Sequence, residues 1–409
     1  MRFLFRPPAD DAAGLLSLPW ELPLEEWPAD LLLDVAERGI SRHPVRFVSA
    51  EGRVHALKEI AEPLARHEYA LLGEFEAEGL PAVSVLGICV DRPGGLPAVL
   101  VTRYLEYSMS YRYLFSSPRA DHSAQQLIDT LVELLVRLHL AGVFWGDCSL
   151  SNTLFRPDAG SFSAYLVDAE TVERHPHLTR GQRTHDVDLA RERVRAELLD
   201  LRTGGLLPSG IDPGELAERL PERYEALWEA VTREEVFHPA EQDVRLAERL
   251  RELDALGFGV GQLELVTSEE ATRLRVETRV AEPDQYRHEL ARLTGLMTQE
   301  NQARRLLDDV HGFRACLEQR DGAAVRDTVA GHRWLAEVYQ PVVDSVPAEL
   351  AGRLEPAEVF HEVLEHRWYL SEREGVDVGT AAAAKSYVAT VLPRTPEPSA
   401  PSTATAASV

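Results

Sequence analysis

Three polar residues stand at spacings that suit work on a phosphate ester. Asp147 and Asn152 are five apart in the run Trp145-Gly-Asp-Cys-Ser-Leu-Ser-Asn152. Asp168 follows a short apolar strand, Ala164 to Val167, and opens Asp168-Ala-Glu170. Moving a phosphoryl group onto a hydroxyl asks little covalent chemistry of a protein. It asks for one carboxylate to orient and deprotonate the acceptor, and for an amide and a second carboxylate to hold Mg²⁺ on the phosphates. Asp147 is the candidate acceptor-orienting base, and Asn152 and Asp168 are the candidate metal ligands. Glu170 is either a ligand for a second Mg²⁺ or a surface carboxylate.

Such a site also needs a cation for the phosphates. Only two of the 43 Lys+Arg residues are lysines, Lys58 and Lys385, so arginine has replaced lysine nearly everywhere else. Lys58 lies in Val54-His-Ala-Leu-Lys-Glu-Ile60, which alternates as a strand does. A compact ammonium sits between α- and β-phosphate oxygens as a point charge, where the wide guanidinium fork fits less well. Ten residues on, Glu68 begins a helical pattern with Leu71, Leu72 and Phe75 and is the candidate to orient Lys58. No G-x-G-x-x-G precedes Lys58. In its place stands Glu37-Arg-Gly-Ile-Ser-Arg-His43. There Gly39 permits close backbone approach, and Ser41 with Arg42 would donate to β- and γ-phosphate oxygens; the alternative is a plain strand connection.

Other polar residues carry less. Cys148 is either a redox-sensitive thiol or, more simply, a small residue filling a tight loop. Arg174 to Arg195 holds six arginines and three histidines against three acids; this is either an acceptor clamp built from Arg180, Arg183 and His185 or a solvated, self-paired surface. His361-Glu362 opens like a zinc-protease motif, but Glu365 takes the place of the second histidine.

These residues need elements to position them. Residues 1–30 are rich in Pro and Trp without periodicity and are expected to wrap a surface. Strands are expected at 31–35, 45–48, 53–60, 83–90 and 97–105, with one helix at about 62–78. A long helix, Ala124–Leu140, is expected to start at a Ser123 cap and to lead into the Asp147 loop. Another is expected at Asp186–Leu201, closed by Gly204-Gly205. Beyond about 236 the pattern is mostly helical, broken by one hairpin, Gln262–Val266 with Arg273–Val280. The segments expected are therefore 1–30 as an extension, 31–235 as one domain, 236–392 as a helical domain, and 393–409 as a disordered tail rich in Pro, Ser, Thr and Ala.

The 409 residues suffice for two or three domains of ~100–200 residues each, and a net charge of −24 disfavours nucleic acid or anionic membrane surfaces as default partners. Three cysteines without pair or metal spacing suit a reducing compartment. No stretch approaches ~18 apolar residues, so a cytoplasmic protein is expected.

From Leu31 to about Leu201, the order and spacing of Lys58, Glu68, Asp147, Asn152 and Asp168 resemble the lipopolysaccharide-kinase-like branch of the protein-kinase superfamily. Three departures stand out: Trp145-Gly146 replaces the usual His-Arg, Ser149 stands where many kinases carry a lysine, and Ala169-Glu170 replaces Phe-Gly. The segments Trp145–Leu154, Tyr165–Glu170 and Gly181–Asp188, with Gln302–Leu307 and Glu365–Glu372, look like a bacterial family in which such a domain precedes a C-terminal domain of unknown function. The resemblance implies an α+β architecture: a two-lobed kinase-like domain, with a small antiparallel β lobe and a reduced helical lobe, then a mostly α-helical domain. It also implies ATP and Mg²⁺ as cofactors and a hydroxyl on a small molecule, glycan or protein as acceptor, with a protein partner for the C-terminal domain as a further possibility. Two alternatives stay open, a nucleotide-binding pseudokinase and an AMP transferase. A fold does not name an acceptor.

Overall fold

A computed structural model describes the chain except for residues 7–11, 35–41, 117–119, 256–257, 268–271, 281–284, 396–401 and 404–409. It divides into two compact units: residues 1–155, 164–283 and 401–409 form the first, and 156–163 with 284–400 the second.

In the first unit, the strands β1 (Arg2–Phe5), β2 (Leu32–Asp34), β3 (Val45–Ala50), β4 (Arg53–Ile60), β5 (Val85–Val90) and β6 (Ala98–Arg103) form an antiparallel sheet in the order β1-β5-β6-β4-β3-β2. Ser402–Thr403 add a short strand beside β2. The β3–β4 hairpin turns on Glu51 and Gly52, both left-handed at φ 50° and 75°, the two-residue geometry that matches strand twist. One sheet face is covered by the first thirty residues. The short helix α1 (Ala12–Leu15) and the following turns bury Leu15, Trp20, Leu24 and Trp27 against Val48, Leu57, Leu86 and Val99. Those residues wrap one face of the sheet and supply its apolar core there, because the sheet has apolar side chains on both faces. Helix α2 (Glu62–Glu78) packs on β5 and β6.

The helical lobe follows. It contains α3 (Tyr111–Ser116), α4 (Ala120–Leu140), α5 (Arg180–Thr203) and α6 (Pro213–Thr232). Between α4 and α5 run β7 (Val143–Phe144), the hairpin β8 (Thr153–Asp158) and β9 (Ser161–Leu166), and β10 (Glu173–Arg174), which pairs with β7. Helix α4 begins before Ser123, so that serine lies within the helix and does not cap it. Helix α5 begins six residues ahead of the expected Asp186. Thr179 and Gln182 form a reciprocal capping box there, which satisfies free N–H groups of the first turn. Most of the basic run 174–195 is consequently helix, not loop.

The lobe also extends past the expected boundary at 235. Strand β11 (Glu235–Phe237) leaves α6 and pairs with β13 (Thr272–Val280), whose other neighbour is β12 (Phe258–Thr267), while α7 (Gln242–Ala255) lies between. Strand β13 packs on α4 and α6, and this joins the sheet to the first unit rather than to the helical domain.

The second unit is built from α8 (Gln285–Thr294), α9 (Glu300–Asp321), α10 (Asp327–Trp334), α11 (Gln340–Asp344), α12 (Pro356–Glu374) and α13 (Thr380–Thr390). Its core gathers Leu290, Leu306, Trp334, Tyr339 and Phe360. The Asp158 carboxylate accepts from the Asn301 and Gln302 N–H groups in the first turn of α9, and Glu358 accepts from the Ala159 and Gly160 N–H groups. Among the described residues, no helix is long and apolar enough to cross a membrane.

Candidate functional site

Lys58 occupies its place because β4 alternates. Leu57 is fully buried against the Trp20–Trp27 face, so the next side chain stands on the opposite face. On α2, Ala65, Glu68, Leu72 and Phe75 recur at helical spacing and are buried, which puts the Glu68 carboxylate on an otherwise apolar stripe. A charge in such a place needs a partner. Lys58 Nζ donates to Glu68 Oε1 at 2.8 Å and to Asp168 Oδ2 at 2.9 Å, with Glu170 Oε2 at 3.8 Å. Burial works to lower the Lys58 ammonium, but the Glu68 and Asp168 carboxylates more than offset it and hold its pKa above the ordinary value. Burial pushes the Glu68 carboxyl up to about 7, against the pull of Lys58.

Asp147 and Asn152 sit on the loop between β7 and β8. Two glycines flank β7, and the second lies in the loop. At Gly142 (φ 75°) a Cβ would lie 2.1 Å from the His175 carbonyl oxygen, and at Gly146 (φ 76°) 3.1 Å from that of Thr171. Helix α5 holds the loop from below. The fully buried Asp186 accepts from the N–H groups of Trp145 (2.7 Å) and Gly146 (2.9 Å) and from His139 Nε2 (3.0 Å). Because an ionised Asp only accepts, Nε2 of His139 carries the proton and Nδ1 accepts from the Tyr224 hydroxyl at 2.7 Å. Burial lowers the His139 pKa despite Asp186, in keeping with a neutral ring. About three turns on, Glu197 accepts from the Leu150 and Ser151 N–H groups.

Asn152 Nδ2 donates to the Asp147 backbone oxygen at 3.1 Å and to its Oδ2 at 3.3 Å, while the Asn152 carbonyl accepts from Val167 N at 3.0 Å. That last bond ties the first loop to the strand leading into Asp168. The Asp168 Oδ1 accepts from the Glu170 N–H at 3.0 Å. Asp147 is ion-paired with Arg193 (Nη2–Oδ1 3.1 Å) and Arg42 (Nη2–Oδ2 4.0 Å), and Glu170 Oε2 lies within hydrogen-bond distance of His43 Nε2 at 3.1 Å.

The structure thus brings Lys58, Glu68 and Asp168 into one contact group and Asp147 and Asn152 into another that Asn152 links to it. Gly39 and Ser41 lie outside the described residues. Of the two readings of the basic run, the contacts of Arg183 suit the self-paired surface: its guanidinium stacks 4.0 Å over the Trp228 ring and donates to the Leu178 carbonyl, and His185 stacks on Phe144. Cys148 is fully buried, with its thiol raised well above the ordinary value by burial and then by neighbouring carboxylates, which suits packing and not redox exchange. Sequence reasoning missed Asp186, Glu197 and Arg193. For Asp186 a signal existed: it shares the buried stripe Ala190, Val194, Leu198 on α5.

Glu68, Asp168 and Glu170 bring oxygens within 4.8 Å of one another. Asn152 spends its amide N–H groups on Asp147, which leaves its side-chain oxygen to ligate. An all-oxygen set suits a hard cation, and the residues fit it.

Residues 54–201, which hold every contact named for Lys58, Asp147 and Asp168 except that of Arg42, match the model of the lipopolysaccharide kinase (Kdo/WaaP) family. This segment is lipopolysaccharide-kinase-like. Residues 226–392 match a domain of unknown function, DUF4032, so the chain joins a kinase-like segment to that domain. A solved structure described as WaaP in complex with acyl carrier protein is 15% identical and covers 63% of this chain and 99% of its own, with a TM-score of 0.37. No curated protein matches the chain. The kinase-like segment has the α+β layout of a small antiparallel sheet lobe followed by a helical lobe.

Proposed function

We propose that the first unit is an ATP- and Mg²⁺-dependent phosphotransferase acting on a hydroxyl group. One observation carries the reading: a single ammonium, Lys58, lies within 2.9 Å of carboxylates from a helix and from a strand end, Glu68 and Asp168. Asn152, bonded to Asp147, adjoins that strand end. In this role Lys58 holds the α- and β-phosphates and Glu68 orients it. Asp168, Asn152 and Glu170 would hold Mg²⁺, which when bound neutralises charge on the phosphate oxygens. Asp147 accepts the acceptor hydroxyl's proton as its oxygen bonds to the γ-phosphorus. The bond from that phosphorus to the bridging oxygen breaks, and ADP leaves with the electron pair.

A second reading, a nucleotide-binding module without transfer, draws on Asp147 being ion-paired through both carboxylate oxygens. The deciding experiment is thermal stabilisation by ATP, with and without Mg²⁺, of wild type and Asp168→Ala. Ligand at roughly 100 times Kd adds about 2.7 kcal/mol. A Mg²⁺-dependent shift in wild type, lost in the variant, is the expected result. No shift with ATP in wild type would sink both readings. ADP formation by the ATP-bound wild type then favours transfer over mere binding.

A further inference from the structure

The catalytic loop lacks the lysine that stands two residues after the acceptor-orienting Asp in many kinases, and the structure gives a reason. Ser149 is 3% exposed. Its hydroxyl accepts from the Asn152 N–H at 3.3 Å, and its carbonyl accepts from the Thr153 hydroxyl at 2.7 Å. A long cationic side chain has no place there. Positive charge reaches Asp147 from elsewhere. Arg193, on α5, meets Oδ1 at 3.1 Å, and Arg42, from the connection into β3, meets Oδ2 at 4.0 Å. The side chains are 50% and 70% exposed, so both guanidinium groups are open to a ligand. In a chain of net charge −24, two arginines on one carboxylate form a local anion site.

The base of Arg193 is fixed. Val194 beside it is buried, and one turn on Glu197 holds the same loop through the Leu150 and Ser151 N–H groups. Asp186, on the same helix, holds its other end. The guanidinium is therefore set against Asp147 by the helix that positions Asp147 itself.

Building on the phosphotransferase reading, we propose that Arg193 and Arg42 are the γ-phosphate ligands of this site, held by Asp147 until a nucleoside triphosphate arrives. Exposed pairs of this kind bind weakly, whereas a guanidinium forms paired, charge-assisted hydrogen bonds to a phosphate. The γ-phosphate displaces the carboxylate, and Asp147 becomes free to take the acceptor's proton only when there is a phosphoryl group to transfer. An empty or ADP-bound site keeps Asp147 engaged.

The test is calorimetric titration of the full chain with ATP and with ADP, each with Mg²⁺. Wild type should bind ATP more tightly than ADP. Arg193→Gln should lose roughly tenfold in ATP affinity with ADP affinity unchanged, and Arg193→Lys should recover part of it. Asp147→Asn should bind ATP more tightly than wild type, because it releases both guanidinium groups, again with ADP unchanged. A merely structural Arg193 would weaken both nucleotides together, and that result overturns the proposal. Equal binding of ATP and ADP by wild type overturns it alone, leaving the phosphotransferase reading intact. Wild type binding neither nucleotide removes that reading and the proposal with it.

Discussion

Glu68, Asp168 and Glu170 crowd their oxygens within 4.8 Å of one another, and Lys58 is the cation they share. Glu68 is fully buried, and burial disfavours its charged form. Burial lifts its carboxyl from 4.5 to about 7. A folded-state pKa above the unfolded value means that the contribution to stability is intact below about 4.5. It drains away as pH rises and is gone above about 7. Glu68→Gln cannot titrate. Comparing the two proteins by urea unfolding from pH 4.5 to 8, wild type should lose roughly 3 kcal/mol relative to the variant across that window. A parallel pH course in both would mean that Glu68 is ionised throughout. At this scale the sequence was most readable where spacing along the chain is short. Asp147 and Asn152 share one loop, and Lys58 and Glu68 are ten residues apart. The partners of Asp147 were not readable in the same way, since Arg193 lies 46 residues on and reaches it only through the turn of α5.

At the scale of elements, α5 is what makes the loop a site. It carries Asp186, Arg193 and Glu197, and its first turn has no buried apolar residue. That is why hydrophobic periodicity placed its start too late, and why the capping box at Thr179 was the better marker. Asp186→Ala should leave the N–H groups of Trp145 and Gly146 and the His139 ring without the buried carboxylate that accepts from them. Removing one partner from such a buried charged network costs about 3–5 kcal/mol. Asp186→Asn keeps one accepting oxygen and should lose less. Urea unfolding of both variants measures this, and a loss near zero for Ala would mean that the loop is held by β7–β10 pairing alone.

At the scale of the whole molecule, composition separated a mixed first part from a helical second part, and it said least about two stretches for one physical reason. Residues 1–30 and 235–283 lack the long periodic stretches by which a sequence announces a domain, but they pack on elements far along the chain: β1 pairs with β5, and β11 and β13 complete the helical lobe. Trp20 shows what this packing is worth. It is 1% exposed, its indole N–H donates to the Leu15 carbonyl at 2.8 Å, and it meets Trp27 and Phe3 edge to face. Replacing it by Ala removes one of the two indole rings from the face that backs Leu57, the neighbour of Lys58, and leaves a cavity in the sheet lobe. A buried Trp→Ala change costs about 3–5 kcal/mol. If the first thirty residues were an appendage, Trp20→Ala would leave the unfolding of the sheet lobe untouched. As core, it should shift that unfolding by the full amount and weaken Mg²⁺-ATP binding through the strand that carries Lys58. Phe360→Ala, in the core of the second unit, should carry a similar stability loss without the change in nucleotide affinity. Hydrogen exchange on the two variants, followed separately over β4 and over α12, would distinguish these outcomes strand by strand.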